Sequence, residues 1–237
     1  MPKDYLTSLP AELFDYICDL VVIAKPKQYL GGISKAFLPS ARERTFWSVH
    51  IYKEPAAIRF VEALAASPGA ASHVRYLTLH LPETAFSSEA AAPVLRRAIS
   101  HLRNITGLSL SSSFDCAAIL PLLANELPQL DKLELEANES LTSQLLIQIL
   151  SGPKKIVKLR TLSLSTSYGS RSSVHASLAP KALIEVVELA EQEKVEVSGG
   201  RFWDAIDARK ARDARLEAEE EERREIARAI ARRAART

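Results

Sequence analysis

Four six-residue runs, VRYLTL (74–79), ITGLSL (105–110), LDKLEL (130–135) and LRTLSL (159–164), share one pattern. Each has an aliphatic residue, two variable residues, a leucine, one variable residue and a second leucine. The steps are 31 residues from Leu77 to Leu108, 25 on to Leu133 and 29 on to Leu162. A weaker fifth run, KVEV (194–197), sets Val195 33 residues beyond Leu162. Periods of this size point to stacked repeats, in which a unit buries its apolar face only against its neighbours. Alternate strand residues point the same way, so the leucines face a core while the residues between them line an open surface. The competing reading is an ordinary α/β domain whose strands happen to share Leu-x-Leu.

Helical periodicity precedes or follows each run, at about 55–67, 88–102, 115–126, 140–151 and 180–193. The pattern therefore predicts an α/β architecture for residues 53–200. Two segments flank it. Residues 1–52 are dense in apolar and helix-forming residues, with Pro10 and Pro26 placed to open helices. Residues 201–237 begin FWDAI and continue as a charged helix, in which Glu219/Arg223 and Glu220/Arg224 stand at i,i+4 spacing. The few apolar residues of that tail, Leu216, Ile226 and Ile230, keep no heptad, which argues against a coiled coil. Phe202, Trp203 and Ile206 are expected to pin its start over the last repeat, capping an otherwise open end. The loop SLSTSYGSRSSVHAS (163–177) has seven serines and no apolar period, and reads as a mobile connection.

Charge excludes one class of partner. The net charge is +2, and residues 207–237 alone carry ten Lys/Arg against eight Asp/Glu, so the body is neutral. No nucleic-acid surface is expected there; a weaker reading has the Arg-rich tail bind nucleic acid. The two cysteines, Cys18 and Cys116, form no disulfide framework, and no secretory signal or membrane-length apolar run occurs. The chain is expected to be soluble, in the cytoplasm and/or nucleus. No glycine-rich phosphate loop, nucleophile elbow or His/Cys metal spacing appears, and the five histidines are scattered. Neither catalysis by this chain, nor a cofactor or metal, nor a small-molecule substrate is expected.

The stretch YLTSLPAELFDYICDLV (5–21) poses a separate question. On a helix, Leu13, Ile17, Leu20, Val21 and Ala24 form one stripe, while Phe14, Cys18 and Val22 form a second, rotated by about 100°. Periodicity alone leaves a partner chain and the repeat domain equally able to cover the second stripe.

The Leu-x-Leu runs resemble degenerate leucine-rich repeats over roughly residues 55–200. The asparagine that ends the family motif stands only at Asn138, with Pro82, Ser113 and Ser167 in the matching places. That asparagine is expected to bond backbone groups in the turn, and its loss elsewhere implies an irregular arc. Leu9-Pro10, Glu12-Leu13, Ile17 and Leu20, then Leu30, Ile33-Ser34-Lys35 and Phe37, resemble an F-box. AFLPSARERTFWSVHI (36–51) is similar to the stretch just after that motif in many fungal F-box proteins. Gly31-Gly32 interrupts what is a helix in the family, at a cost of roughly 1 kcal/mol per glycine.

Together these resemblances imply a three-helix F-box-like bundle (1–52), a short, irregular leucine-rich-repeat α/β solenoid (53–200) and a charged C-terminal helix (201–237). They imply a non-catalytic substrate-recognition subunit of a ubiquitin ligase, bound to a Skp-type adaptor of the cullin–RING class and to a protein substrate. The alternative is a leucine-rich-repeat scaffold that joins no ligase. By the resemblance, Leu9, Pro10, Leu13, Phe14, Ile17 and Leu20 carry adaptor docking, with Ile33 and Phe37 supporting the bundle. The substrate face consists of the variable strand positions Tyr76, Thr78, His80, Ser109, Ser111, Lys132, Glu134, Glu136, Thr161, Ser163 and Ser165. Its middle reads as acidic and its flanks as hydroxyl-rich, which suits a partner with a basic patch.

Overall fold

The computed structural model describes residues 46–81, 88–111, 113–165 and 178–234. Residues 1–45 of the F-box-like segment, with all eight adaptor-docking residues, lie outside the described residues, as do Pro82, Ser167 and residues 166–177 of the serine-rich loop.

Each Leu-x-Leu run becomes a parallel strand. The strands are β1 (Ser48–Ile51), β2 (Tyr76–Leu79), β3 (Gly107–Leu110), β4 (Lys132–Glu136), β5 (Thr161–Ser165) and β6 (Glu196–Ser198). They form one six-stranded sheet whose spatial order is the chain order. Every neighbouring pair is parallel. Parallel neighbours need a crossover between them. Helices supply it: α1 (Glu54–Ala66), the single turn α2 (Pro68–Ala71), α3 (Ser88–His101), α4 (Cys116–Glu126), α5 (Ser143–Ser151) and α6 (Pro180–Gln192). The long α7 (Gly200–Ala234) comes after β6. The chain is α/β throughout the described residues.

The register explains the Leu-x-Leu pattern. Val49, Leu77, Leu108, Leu133, Leu162 and Val197 form one row across the sheet. Ile51, Leu79, Leu110, Leu135 and Leu164 form a second. From Leu77 to Leu164 every member of both rows is buried. The helices bring matching stripes at helical spacing: Leu95, Ala98, Ile99 and Leu102 on α3; Cys116, Ile119, Leu120 and Leu123 on α4; Leu146, Ile149 and Leu150 on α5. Each helix after α2 packs on the next, and α1 packs on α3. One layer of helices therefore covers one face of the sheet.

Two helices are started by side chains. Asp115 caps α4 by accepting from Ala117 N–H at 3.0 Å, and Thr142 caps α5 by accepting from Leu145 N–H at 3.2 Å. Before α5, Asn138 organises the turn. Its Oδ1 accepts from the N–H groups of Ser140 (3.1 Å) and Leu141 (3.0 Å), and its Nδ2 donates to Phe114 C=O at 2.6 Å.

The sheet differs from the sequence reading at both ends. Residues 48–51, read as part of the N-terminal segment, form β1, with Val49 28 residues before Leu77 and inside the repeat spacing. At the other end Val197, not Val195, takes the place beside Leu162, a step of 35 residues. Lys194 adopts a left-handed conformation (φ 58°), and Val195 N–H returns to Ala190 C=O at 2.8 Å. Val195 thus closes helix α6, and the strand starts after it.

The tail helix caps the core as expected, with one correction. Phe202 and Ala205 are fully buried and Ile206 packs beside them, but Trp203 is 57% exposed. Adjacent helix residues point about 100° apart, so Phe202 and Trp203 cannot share one face. Gly199 lets α7 begin here: its φ is +103°, and a Cβ would run into the Leu164 carbonyl on β5. In urea unfolding, Leu133→Ala and Phe202→Ala are each expected to cost about 3 kcal/mol. Trp203→Ala is expected to cost under about 0.5 kcal/mol.

Candidate functional site

The sheet face opposite the helices carries the variable strand residues. Ser48, Tyr76, Gly107, Lys132, Thr161 and Glu196 form one row in register, and His50, Thr78, Ser109, Glu134, Ser163 and Ser198 form the next. Glu136 and Ser165 pair at the start of a third. The structure therefore brings Tyr76, Thr78, Ser109, Lys132, Glu134, Glu136, Thr161, Ser163 and Ser165 onto one surface. His80 joins them just past β2, its Nε2 3.1 Å from Ser109 Oγ.

Ser111 is the exception and is a correction to the predicted face: it is buried. Its hydroxyl accepts from Leu81 N–H at 3.0 Å and donates to Leu81 C=O at 3.1 Å, and it lies 2.8 Å from Ser113 Oγ. The β2–β3 ladder ends where Ser111 N–H meets Leu79 C=O. Beyond it, this side chain satisfies the two backbone groups that the ladder leaves open. A structural duty holds Ser111 away from the surface.

The face has three textures. At the β1–β2 end it is aromatic. Trp47 and Tyr76 stand 6.5 Å apart between ring centroids, and the Arg75 guanidinium lies 5.9 Å over Trp47. Arg75 is held there by donating to the carbonyls of Ser72 (2.9 Å) and Asn104 (3.2 Å). Tyr52 meets His80 edge-on at 6.2 Å. Gly107 makes the floor, because any Cβ there would strike the Tyr76 ring. The result is a shallow depression of about 180 Å³ bounded by His50, Tyr76, Ser109 and Lys132. At the β5 end Thr161, Ser163 and Ser165 give a hydroxyl surface.

The middle holds an ion pair inside a stretch that stays acidic by one charge, since Glu136 follows on the same face of β4. Lys132 Nζ lies 2.9 Å from Glu134 Oε1, both on β4 and on the same face. The hydrogen bond and charge of Glu134 raise the Lys132 pKa, so the ammonium stays charged and the pair is neutral as a unit. Two residues apart on a strand is the spacing that brings side chains to one face, so the pairing was readable in KLE.

Sequence reasoning missed Trp47, Ser48, His50, Tyr52 and Gly107. The first four went unseen because β1 was not separated from the segment before it. Their signal was the alternation SVHI, in which Val49 and Ile51 continue the two apolar rows.

Compared with known proteins, the chain matches no family model, no curated protein and no solved structure.

Among the described residues no three His, Cys, Asp or Glu side chains are grouped as metal ligands. Cys116 faces inward, and burial pushes its thiol up from 9.0 to about 11, outweighing the hydrogen bonds of Ser140 and Asn138. It is a packed core residue with almost no thiolate near neutral pH.

Gly107→Ala displaces the Tyr76 ring, and is expected to change the near-ultraviolet circular dichroism while leaving the far-ultraviolet spectrum intact. The raised Cys116 pKa keeps its proton in the folded state after the unfolded thiol has lost it. Its stabilising effect is therefore complete below pH 9.0 and is lost as pH rises toward 11. Unfolding free energy is expected to fall between these pH values by roughly 2 kcal/mol more in the wild type than in Cys116→Ala.

Proposed function

We propose that this chain is a non-catalytic substrate-recognition subunit of a Skp–cullin–F-box type ubiquitin ligase. Residues 53–200 act as a short leucine-rich-repeat solenoid that holds a protein substrate on its open sheet face. The observation that carries the reading is the division of the sheet: every leucine turns to the helices, leaving a surface of aromatic, hydroxyl and paired charged side chains. Exposed aromatic side chains beside polar groups are the composition of protein-docking surfaces. Asn138 makes the turn bonds that the repeat resemblance implies. The expected partner keeps its basic patch for the β4 centre and adds an apolar or aromatic anchor for the Trp47–Tyr76 end.

In this proposal the segment resembling an F-box delivers the face to the ligase. Leu9, Pro10, Leu13, Phe14, Ile17 and Leu20 meet the Skp-type adaptor, and Ile33 and Phe37 support them. The other subunits supply the chemistry, and this chain supplies proximity and orientation. Among the described residues no helix is long and apolar enough to cross a membrane.

The test is a pulldown of the full chain with the Skp-type adaptor, wild type against Leu9→Ala/Pro10→Ala/Ile17→Asp. Capture by the wild type and its loss in the variant is the expected result. A folded wild type that retains no adaptor defeats the ligase reading and leaves a scaffold. Tyr76→Ala is expected to retain the adaptor while weakening substrate capture by roughly tenfold, the loss typical of one interface anchor.

A further inference from the structure

The middle of the open face is charged on one strand only. Across β3, β4, β5 and the turn that follows β4 (residues 137–142), Lys132 is the one cation, set against the carboxylates of Glu134, Glu136 and Glu139. The face positions beside β4 are uncharged: Gly107 and Ser109 on β3, and Thr161, Ser163 and Ser165 on β5. Two other charges stand apart from this group. Arg75, just before β2, is stacked on Trp47, and Glu196 lies two strands away on β6. Lys132 and Glu134 pair at 2.9 Å with both side chains near half exposed, and Glu139 is exposed past the end of the strand. The strand thus carries more negative than positive charge, and its one cation belongs to the same strand.

The sheet fixes how far this charge lies from the exposed rings of Trp47 and Tyr76. From Tyr76, Glu134 is two strands across and two residues along, and Glu136 is two strands across and four along. At about 4.8 Å per strand and about 3.3 Å per residue, these are separations of about 12 and 16 Å. In an extended segment, side chains i and i+4 share one side about 13 Å apart, while i+3 points away. The shallow depression bounded by Thr78 and Ser109 lies between the two ends and suits a small polar residue at i+2.

From this we infer that the open face takes an extended segment with a large apolar or aromatic side chain and, four residues from it, a lysine or arginine, and that Lys132 holds the place of that incoming base. The inference rests on the reading of this face as the substrate surface. The anchor packs on Trp47 and Tyr76. The base exchanges with Lys132 for the Glu134 carboxylate and meets the field of Glu136 and Glu139 beyond it. Because the resident pair is exposed to solvent, the exchange costs little, and the released ammonium of Lys132 returns to water rather than to a buried site.

Fluorescence anisotropy of the full chain at low ionic strength tests this, with far-ultraviolet circular dichroism to confirm that each variant is folded. The probe is a labelled peptide of sequence Ser-Phe-Ser-Ser-Ser-Arg-Ser, compared with the same peptide carrying Glu for Arg, and with one in which Arg is moved to the third place after Phe. The first probe is expected to bind at least roughly tenfold tighter than the Glu peptide and about threefold tighter than the shifted one. Glu134→Gln/Glu136→Gln is expected to weaken it at least roughly tenfold. Lys132→Gln is expected to tighten it about threefold, because a competitor for Glu134 is gone. A wild type that binds no probe, or binds the Glu peptide as tightly, overturns the inference, and so does a Lys132→Gln variant that binds no tighter than wild type. Adaptor capture is read on the same preparation: a chain that retains the adaptor but shows no such selectivity refutes this inference alone, and one that shows the selectivity without the adaptor refutes only the ligase reading.

Discussion

Everything in this structure depends on two rows of leucines that have helices on only one side. A parallel strand of four or five residues cannot bury its own leucines. Each unit relies on the units before and after it, and on the helix that crosses between them. The register keeps Leu77, Leu108, Leu133 and Leu162 in line across four strands. A slip of one residue in any strand would turn its leucines outward and put Thr78, Ser109 or Glu134 into the core. Apolar burial thus sets both the position and the flatness of the opposite surface. The core is closed at its last unit by Phe202 and Ala205 of the tail helix, which only the conformation of Gly199 brings close enough to β5.

That economy made the central fold legible. A period-2 pattern beside period-3.6 patterns, repeated at nearly equal steps, places β2 to β5 and their helices to within three residues. The ends were harder because the pattern weakens there. Ser48-Val49-His50-Ile51 has valine and isoleucine where the other strands have leucine, and it comes directly after another apolar segment. Lys194 hides its role entirely: a left-handed residue after a helix reads in sequence as one more surface lysine, yet it moves the final strand by two positions. Side-chain duties were the least legible. Ser109 and Ser111 look equivalent in LSLS, but one lines the face and the other replaces backbone bonds where the ladder stops. Lys132 and Glu134 read as two separate residues of the face, although their two-residue spacing already put each within reach of the other.

The long helix has two unlike ends. Its first turns are core elements, held by buried Phe202 and by paired arginines against α6. Past Arg215 the same helix is solvent-bound, supported by i,i+4 pairs such as Arg215–Glu219 (3.3 Å) and Arg224–Glu220 (3.3 Å). Such pairs add only about 0.3–0.5 kcal/mol each. One continuous helix therefore serves as lid at one end and as projecting surface at the other.

The Lys132–Glu134 pair leaves the open face adjustable. Both side chains remain near half exposed, so the pair itself is worth under about 1 kcal/mol. A charged group arriving there can take the place of either member at little cost, while Glu136 and Ser165 continue the face beside it. The rings of Trp47, Tyr52 and Tyr76 at the other end carry no such charge, and contacts made on them should change little with added salt.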